Sequence, residues 1–331
     1  MMLMHVRSCL AATSRALTGF QSSLTRLRRK RFHIAPHNAL DMTLVPGKAH
    51  LKSLNLGGYE IEAGSISVAG QETCISIPQL KLIFDTGRCP QRAIYQRHVF
   101  ISHSHMDHIG GLPFHVATRA MLGLPPSIVV VPESLAEPTQ KLLDAYGALD
   151  GNTLPCSIVP LAPGKEYQLS ANLIVKAFPT IHPVQSQGYV VYSQKRKLRA
   201  ELAGLSQKEI KDRRMAGEDV TYPVVTPEVA FTGDTAAGVF SSPGFEDALA
   251  AKLLIIESTF LCNDVSLEHA ENYGHMHLSE IAAMTDMFKN EAILLIHFSQ
   301  RYSAEAIVRH LDETLPAGLR SRCTPLLQGY T

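Results

Sequence analysis

Phe100-Ile-Ser-His-Ser-His-Met-Asp-His-Ile-Gly-Gly111 packs His103, His105, Asp107 and His108 into six consecutive residues. Three imidazoles and a carboxylate this close are metal ligands by type, and the pattern suits coordination far better than a solvated loop that happens to be rich in histidine. The apolar run Val99-Phe100-Ile101 reads as a buried strand that delivers the chain to this point, and Gly110-Gly111 lets the backbone turn away tightly. Residues two apart in an extended segment share a face, so His103 and His105 can close on one ion while Asp107 and His108, past the bend, turn toward a second. Two metals are expected.

Outward from this stretch, the same relation between strand and ligand recurs. Leu173–Phe178 leads to His182, Val229–Phe231 to Asp234, Leu253–Ile256 to Glu257 and Ala292–Ile296 to His297. A lone histidine is usually structural, but five apolar strands presenting such groups at their C-terminal ends imply convergence on one sheet edge. Upstream, the folded body begins near Lys52 with short β-like runs at Tyr59–Glu62, Ile66–Val68, Cys74–Ile77 and Leu80–Phe84, which read as a meander. It ends at Asp85-Thr86-Gly87, where Asp85 is expected to orient the histidine loop from behind rather than only cap a turn. Helical patterns at Leu112–Leu122, Leu135–Leu149, Leu278–Phe288 and Ala304–Leu311, with a strand at Ile128–Val131, complete two rounds of strands followed by helices. The class is α/β, a layered sandwich.

The 331 residues suffice for one large domain or two small ones, and a net charge of +1 with 18% charged residues excludes a global basic field. Six cysteines without a CxxC pair suit reduced thiols, and no apolar run approaches the roughly 20 residues of a membrane span. Residues 1–40 contain no acid but carry Arg7, Arg15, Arg26, Arg28, Arg29, Lys30 and Arg31. The segment 1–45 is therefore expected to be an organelle transit peptide, mitochondrial or chloroplast, with a disordered basic tail as the alternative. The domain is expected over 50–331. Inside it, the stretch from Gln194 to Arg214 holds eight basic residues (Lys195, Arg196, Lys197, Arg199, Lys208, Lys211, Arg213, Arg214) against three acids. That excess is either a solvated face or a contact for a polyanion.

With HxHxDH, the downstream His182, Gly233-Asp234-Thr235 and His297, the chain resembles the metallo-β-lactamase superfamily. Within it the chain is similar to the tRNase Z family, through FDTG at 84–87, SHSHMDHIGG at 102–111, FTGDT at 231–235, ESTF at 257–260, GHMH at 274–277 and HFSQRY at 297–302. The nearest likeness is to the short plant and algal forms. The resemblance implies an αββα sandwich, one metal held by His103, His105 and His182, the other by Asp107, His108 and His297, and Asp234 bridging both. Imidazole-rich sites with a bridging carboxylate suit zinc, so two Zn2+ per chain are expected, with Mn2+ as the alternative. Asp107 would position the nucleophile from water and accept its proton, and His275 would protonate the leaving 3′ oxygen with Glu257 as partner.

Arg301, four past His297, is expected either to clamp a phosphate or to make a surface ion pair. Ser186 and Tyr189 are candidates to line the RNA path, with core or turn roles the stronger expectation. His98, His115 and His277 are expected to be structural. The basic run becomes an arm over 194–223, with Lys195, Arg196, Lys197 and Arg199 gripping RNA. The implied activity is removal of 3′ trailers from precursor tRNA by a homodimer. A thioesterase or lactonase of the same fold is the main rival, and an inactive RNA-binding member a third reading. A lactonase has no use for a polyanion grip.

Overall fold

Strands that are apolar on both faces have to be covered on both, and this chain meets that demand with four layers. The computed structural model describes residues 52–330, so the expected transit segment 1–45 lies outside it. A short antiparallel hairpin, β1 (Leu54–Leu56) with β2 (Tyr59–Ile61), comes first. A six-stranded sheet follows in chain order: β3 (Ile66–Val68), β4 (Glu72–Ile77), β5 (Leu82–Phe84), β6 (His98–Phe100), β7 (Ser127–Pro132) and β8 (Cys156–Leu161). The second sheet has seven strands, again in chain order: β9 (Glu166–Ser170), β10 (Leu173–Pro179), β11 (Gln187–Leu198), β12 (Thr221–Phe231), β13 (Leu253–Glu257), β14 (Ala292–Ile296) and β15 (Cys323–Pro325).

The period of two along each strand builds the layers. Leu82, Phe84, Phe100, Val130, Val191, Phe231, Leu253, Ile255 and Leu294 point between the sheets. Phe84 stacks on Phe231 at 4.7 Å between ring centres, joining the two sheets directly. The alternate residues Ile83, Val99, Val129 and Val131 face outward onto Leu112, Val116 and Leu143 of the helices Leu112–Met121 and Ala136–Asp150. On the other side, Leu254, Ile256, Ile293 and Leu295 meet Phe245, Ile281, Ile307 and Leu311 from the helices Phe245–Ala250, Leu278–Ala283 and Ala304–Thr314. The order is helix, sheet, sheet, helix, the αββα sandwich of the resemblance.

Pairing is parallel through β5–β8 and through β12–β15, so their C-terminal ends share one edge of each sheet. Three element expectations are corrected. The strand expected from Leu80 begins at Leu82, because Pro78–Leu80 forms a single tight turn and Lys81 takes φ 55°. The helix expected to reach Phe288 ends at Ala283, where Met284 leaves helical geometry before a short turn at Thr285–Met287. Gly110 and Gly111 have φ −57° and −84°, so they are not needed for an unusual turn. They are needed for contact: a Cβ on Gly111 would lie 2.7 Å from the Cys89 amide nitrogen.

The segment 194–223 is the far half of a long antiparallel pair. β11 and β12 stay in register from Tyr189↔Phe231 out to Leu198↔Thr221, with one bulge, whereas β10 stops pairing at Ser193 and β13 at Val229. Beyond those points the two strands project as a ribbon, closed by the helix Gln207–Met215, whose N-terminus carries a reciprocal cap between Ser206 and Glu209. The cap fixes the helix start where apolar packing is lacking, since no residue of that helix is buried.

Candidate metal centre

Every expected ligand arrives at the shared edge. His103 and His105 follow β6, and Asp107 and His108 lie in the single helical turn Met106–Ile109. His182 follows β10, Asp234 follows β12, and His297 follows β14. Two of these strand ends are turned by left-handed backbone, Gly233 at φ 61° and His297 at φ 62°, and Asp85 after β5 is a third at φ 56°. A non-glycine residue in that region is strained, and the bonds described next hold Asp85 and His297 there.

The donor atoms fall into overlapping groups that could each hold an ion: His103, His105 and His182; Asp107, His108 and His297; and His103, His108 and Asp234. Asp234 lies between them, its Oδ2 at 3.2 Å from His108 Nε2, 3.3 Å from His297 Nε2 and 3.7 Å from His103 Nε2.

The bonds on the far side of each ring set its tautomer. Asp85, fully buried, faces His108 Nδ1 at 2.7 Å with Oδ2, and its Oδ1 accepts from the Ser102 amide at 2.7 Å. Ser102 donates its only hydroxyl proton to Asp85, so it accepts from His103 Nδ1 at 3.0 Å. Thr259 donates to Glu257 Oε2 and so accepts from His297 Nδ1 at 3.0 Å. His182 Nδ1 donates to the Gly274 carbonyl at 2.8 Å. Four rings thus carry their proton away from the centre and turn an Nε2 lone pair toward it. This is how ligating histidines are oriented, through a partner on the opposite nitrogen.

Bare lone pairs cannot face one another stably. Nε2 atoms of His108 and His297 lie 3.3 Å apart, and His182 Nε2 lies 3.1 Å from His105 Nδ1. His103 Nε2 and Asp234 Oδ1 are buried with no hydrogen-bond partner. Such a donor set fits divalent cations, since a cation satisfies all of these atoms at once. Burial opposes the charge of Asp234, but His108 and His297 hold its carboxyl well below the usual carboxylate range. Burial together with neighbouring His108 depresses His103 well below an ordinary imidazole.

His275 sits beside this cluster, its Nδ1 3.0 Å from Glu257 Oε1, and its ring stacks at 5.3 Å on His297. Burial works against its charge, yet the Glu257 carboxylate pushes the imidazole up to about 9. Glu257 is fully buried and also accepts from the Thr235 and Met276 amides and from Thr259, so it braces three segments of the site as well. Asp107 Oδ2 accepts from the Gly70 amide at 2.9 Å and lies 3.5 Å from both His108 and His297.

The remaining expected residues divide. Arg301 rests over the Phe260 ring at 5.7 Å and makes an exposed, 3.8 Å contact with Asp264, an ion pair of little worth. Tyr189 takes the core role that was the stronger expectation: it is fully buried and donates to the Ile101 carbonyl. Ser186 is buried as well and accepts from Thr180. His277 caps the helix that follows it, and His115 is buried against the Ala93 and Gln96 carbonyls. Lys195, Arg196 and Lys197 are exposed on the projecting ribbon, where Arg196 pairs with Asp219 at 2.7 Å and Arg199 donates to the Asp219 carbonyl. Sequence reasoning missed Ser102 and Thr259, whose only signal was their place inside SHSH and ESTF.

Residues 88–298 match the beta-lactamase superfamily domain. Over 279 residues the chain is 48% identical to tRNase Z TRZ1 of Arabidopsis thaliana, covering 84% of this chain and 99% of that protein. The chain belongs to the tRNase Z family. This tRNase Z-family chain is also 42% identical over 279 residues to the chloroplastic tRNase Z TRZ2 of the same plant, covering 84% of this chain and 78% of that one. In fold it is similar to the metallo-beta-lactamase fold protein YhfI from Bacillus subtilis, with a TM-score of 0.54 at 15% identity over 80% of this chain and 96% of that one.

Proposed function

We propose that this tRNase Z-family chain is a zinc-dependent endoribonuclease that removes 3′ trailers from precursor tRNA and leaves a 3′-hydroxyl on the tRNA. The observation that carries the reading is the convergence of oriented histidines around Asp234 in a chain 48% identical to tRNase Z TRZ1. His103, His105 and His182 would hold one Zn2+ and Asp107, His108 and His297 the other, with Asp234 shared; Mn2+ suits the same donors less selectively. Bound there, the pair of cations would supply an activated water and positive charge for the phosphodiester.

The chain's own residues do the rest. Asp107, tied to the Gly70 amide, orients the attacking water and takes its proton. His275, kept protonated by Glu257, gives a proton to the leaving 3′ oxygen. Arg301, exposed and only weakly paired with Asp264, would be free to meet a phosphate. Lys195, Arg196, Lys197 and Arg199 grip the RNA far from the cut, since β11 starts beside Ser102 at Gln187 and runs away from it. Twelve residues of strand span about 35 Å. A homodimer is supported by exposed Phe114, Met121 and Leu122 on and just after one helix. The acid-free N-terminus, together with the chloroplastic name of one relative, supports delivery to an organelle.

The test is cleavage of a precursor tRNA by the purified, zinc-loaded chain with both ends mapped. The expected products are tRNA ending in a 3′-hydroxyl and a trailer with a 5′-phosphate. Turnover of thioesters or lactones with intact precursor would overturn the reading in favour of a small-molecule hydrolase.

A further inference from the structure

Aromatic rings form an unbroken path from the metal centre to the surface. His297 stacks on His275, whose ring centre is 6.1 Å from that of Phe260, edge to face. Phe260 meets His269 at 5.7 Å, and His269 stacks on Tyr273 at 4.4 Å with only 26° between the planes. The path begins at the buried end and finishes on a ring that is 59% exposed, so the outer face of Tyr273 is open while its inner face is backed by His269. Arg301 lies over Phe260 midway.

Backbone bonds tie this surface to the chemistry. His269 and Tyr273 are at either end of one helical turn, joined by the Tyr273 amide to the His269 carbonyl at 3.1 Å. The His275 amide bonds the Ala270 carbonyl at 2.9 Å, and the Gly274 carbonyl between Tyr273 and His275 accepts from His182. Gly274 is fixed there, because a Cβ on it would lie 2.4 Å from Pro183 Cδ. The backbone that carries Tyr273 is thus continuous with the fixed segment that carries His275. Glu268 and Glu271, exposed on the same helix, repel phosphates, so what this surface can hold is a base face and not a sugar-phosphate run.

We propose that Tyr273, stacked on His269, is a platform for the nucleobase on the 5′ side of the cleaved bond. This rests on the endonuclease reading above and names a substrate contact for that site. The side follows from the chemistry. His275 serves the leaving 3′ oxygen, which belongs to the nucleoside on the 5′ side, and the platform is built from the same segment as His275. An unpaired base offers two apolar faces, and a backed aromatic ring accepts any base, which suits an enzyme acting on many tRNAs.

The experiment compares Tyr273→Ala and Tyr273→Phe on precursor tRNA and on bis(p-nitrophenyl) phosphate. Base stacking predicts that Tyr273→Ala lowers kcat/KM for precursor about 5- to 150-fold while Tyr273→Phe keeps most of it and the small ester is cleaved normally. An abasic site at the last nucleotide of the tRNA should bring the wild-type protein down to the level of Tyr273→Ala, with no further loss in the variant. Unchanged cleavage by Tyr273→Ala, equal loss on both substrates, or coupling to an abasic site in the trailer instead would each overturn the proposal. Should the wild-type protein leave precursor tRNA intact, the endonuclease reading fails separately. Anisotropy of a labelled single-stranded RNA hexamer then decides the platform, weaker binding by Tyr273→Ala supporting it and equal binding refuting it.

Discussion

Replacing Glu257 by Gln keeps the shape of the side chain and removes only its charge, so it isolates what that charge does to His275. In the wild-type protein burial works against the charge of His275, but Glu257 Oε1, 3.0 Å from its Nδ1, and to a lesser degree Asp234 raise the imidazole from 6.5 to about 9. A shift of that size corresponds to about 3 kcal/mol in favour of the imidazolium. As a general acid His275 works only when protonated, so activity is present below its pKa and lost as pH rises through it. At pH 8 a group titrating near 9 is about nine-tenths protonated, whereas one near 6.5 is protonated in only about 3% of molecules. Glu257→Gln should therefore cut turnover about 10- to 30-fold at pH 8, much less at pH 6, and move the basic limb of the rate profile to lower pH. Cations held beside His275 would lower its pKa in both proteins, so the displacement between the two profiles is the readout. The assay is single-turnover cleavage of precursor tRNA from pH 5.5 to 9.5, with metal content measured alongside. A uniform loss at every pH, or a loss of metal, would mean that Glu257 merely braces Thr235, Met276 and Thr259. His275→Ala sharpens the case: it should slow cleavage by roughly 10²- to 10⁴-fold, and sulfur at the leaving 3′ position, which departs without a proton, should recover much of it.

Asp234→Ala removes the group between both ligand sets, so metal per chain and cleavage should fall together; a variant that kept two metals and near-normal turnover would refute the assignment. Neutralising Lys195, Arg196, Lys197 and Arg199 should raise KM for precursor tRNA and flatten its dependence on salt while sparing a small phosphodiester, and equal losses on both would make the ribbon a structural support. Away from the site, burial depresses His115 from 6.5 to about 4. The unfolded chain then binds a proton that the folded one refuses. Its contribution is full above pH 6.5 and declines by up to about 3 kcal/mol as pH falls toward 4. Urea titrations at pH 7 and pH 5 should show the loss, and His115→Asn should abolish that part of it.

The cluster around Asp234 was legible because it is local in sequence or tied to strand ends. His103, His105, Asp107 and His108 share one short segment, and His182, Asp234 and His297 each follow an apolar run that could only be a buried strand. The layers were legible for the same reason, since Leu254 and Ile256 alternate with Leu253 and Ile255. What the sequence hid are bonds between distant segments. Thr259 reaches His297 across 38 positions and Gly274 reaches His182 across 92, through a hydroxyl and a backbone carbonyl that any sequence supplies in quantity. For Tyr189 the sequence left core and RNA path both open, because a polar head on a strand says nothing of which way it points. Tyr189 lies on the face that packs between the sheets, where its hydroxyl finds the Ile101 carbonyl. The aromatic path through Phe260 and His269 was invisible too, because ring contacts depend on loop geometry that no periodicity encodes.

Asp85 and His297 both occupy left-handed backbone at the ends of buried strands, in conformations that glycine adopts at no cost. Each position costs the fold of order 1 kcal/mol in backbone strain. That strain is offset by the bonds each side chain makes, so neither position is free to relax. Glycine at 85 would release the backbone but leave the Ser102 amide and His108 Nδ1 without an acceptor, and glycine at 297 would leave a buried space unfilled beside Thr259. An engineer seeking a hardened scaffold of this shape should therefore keep both residues and look elsewhere.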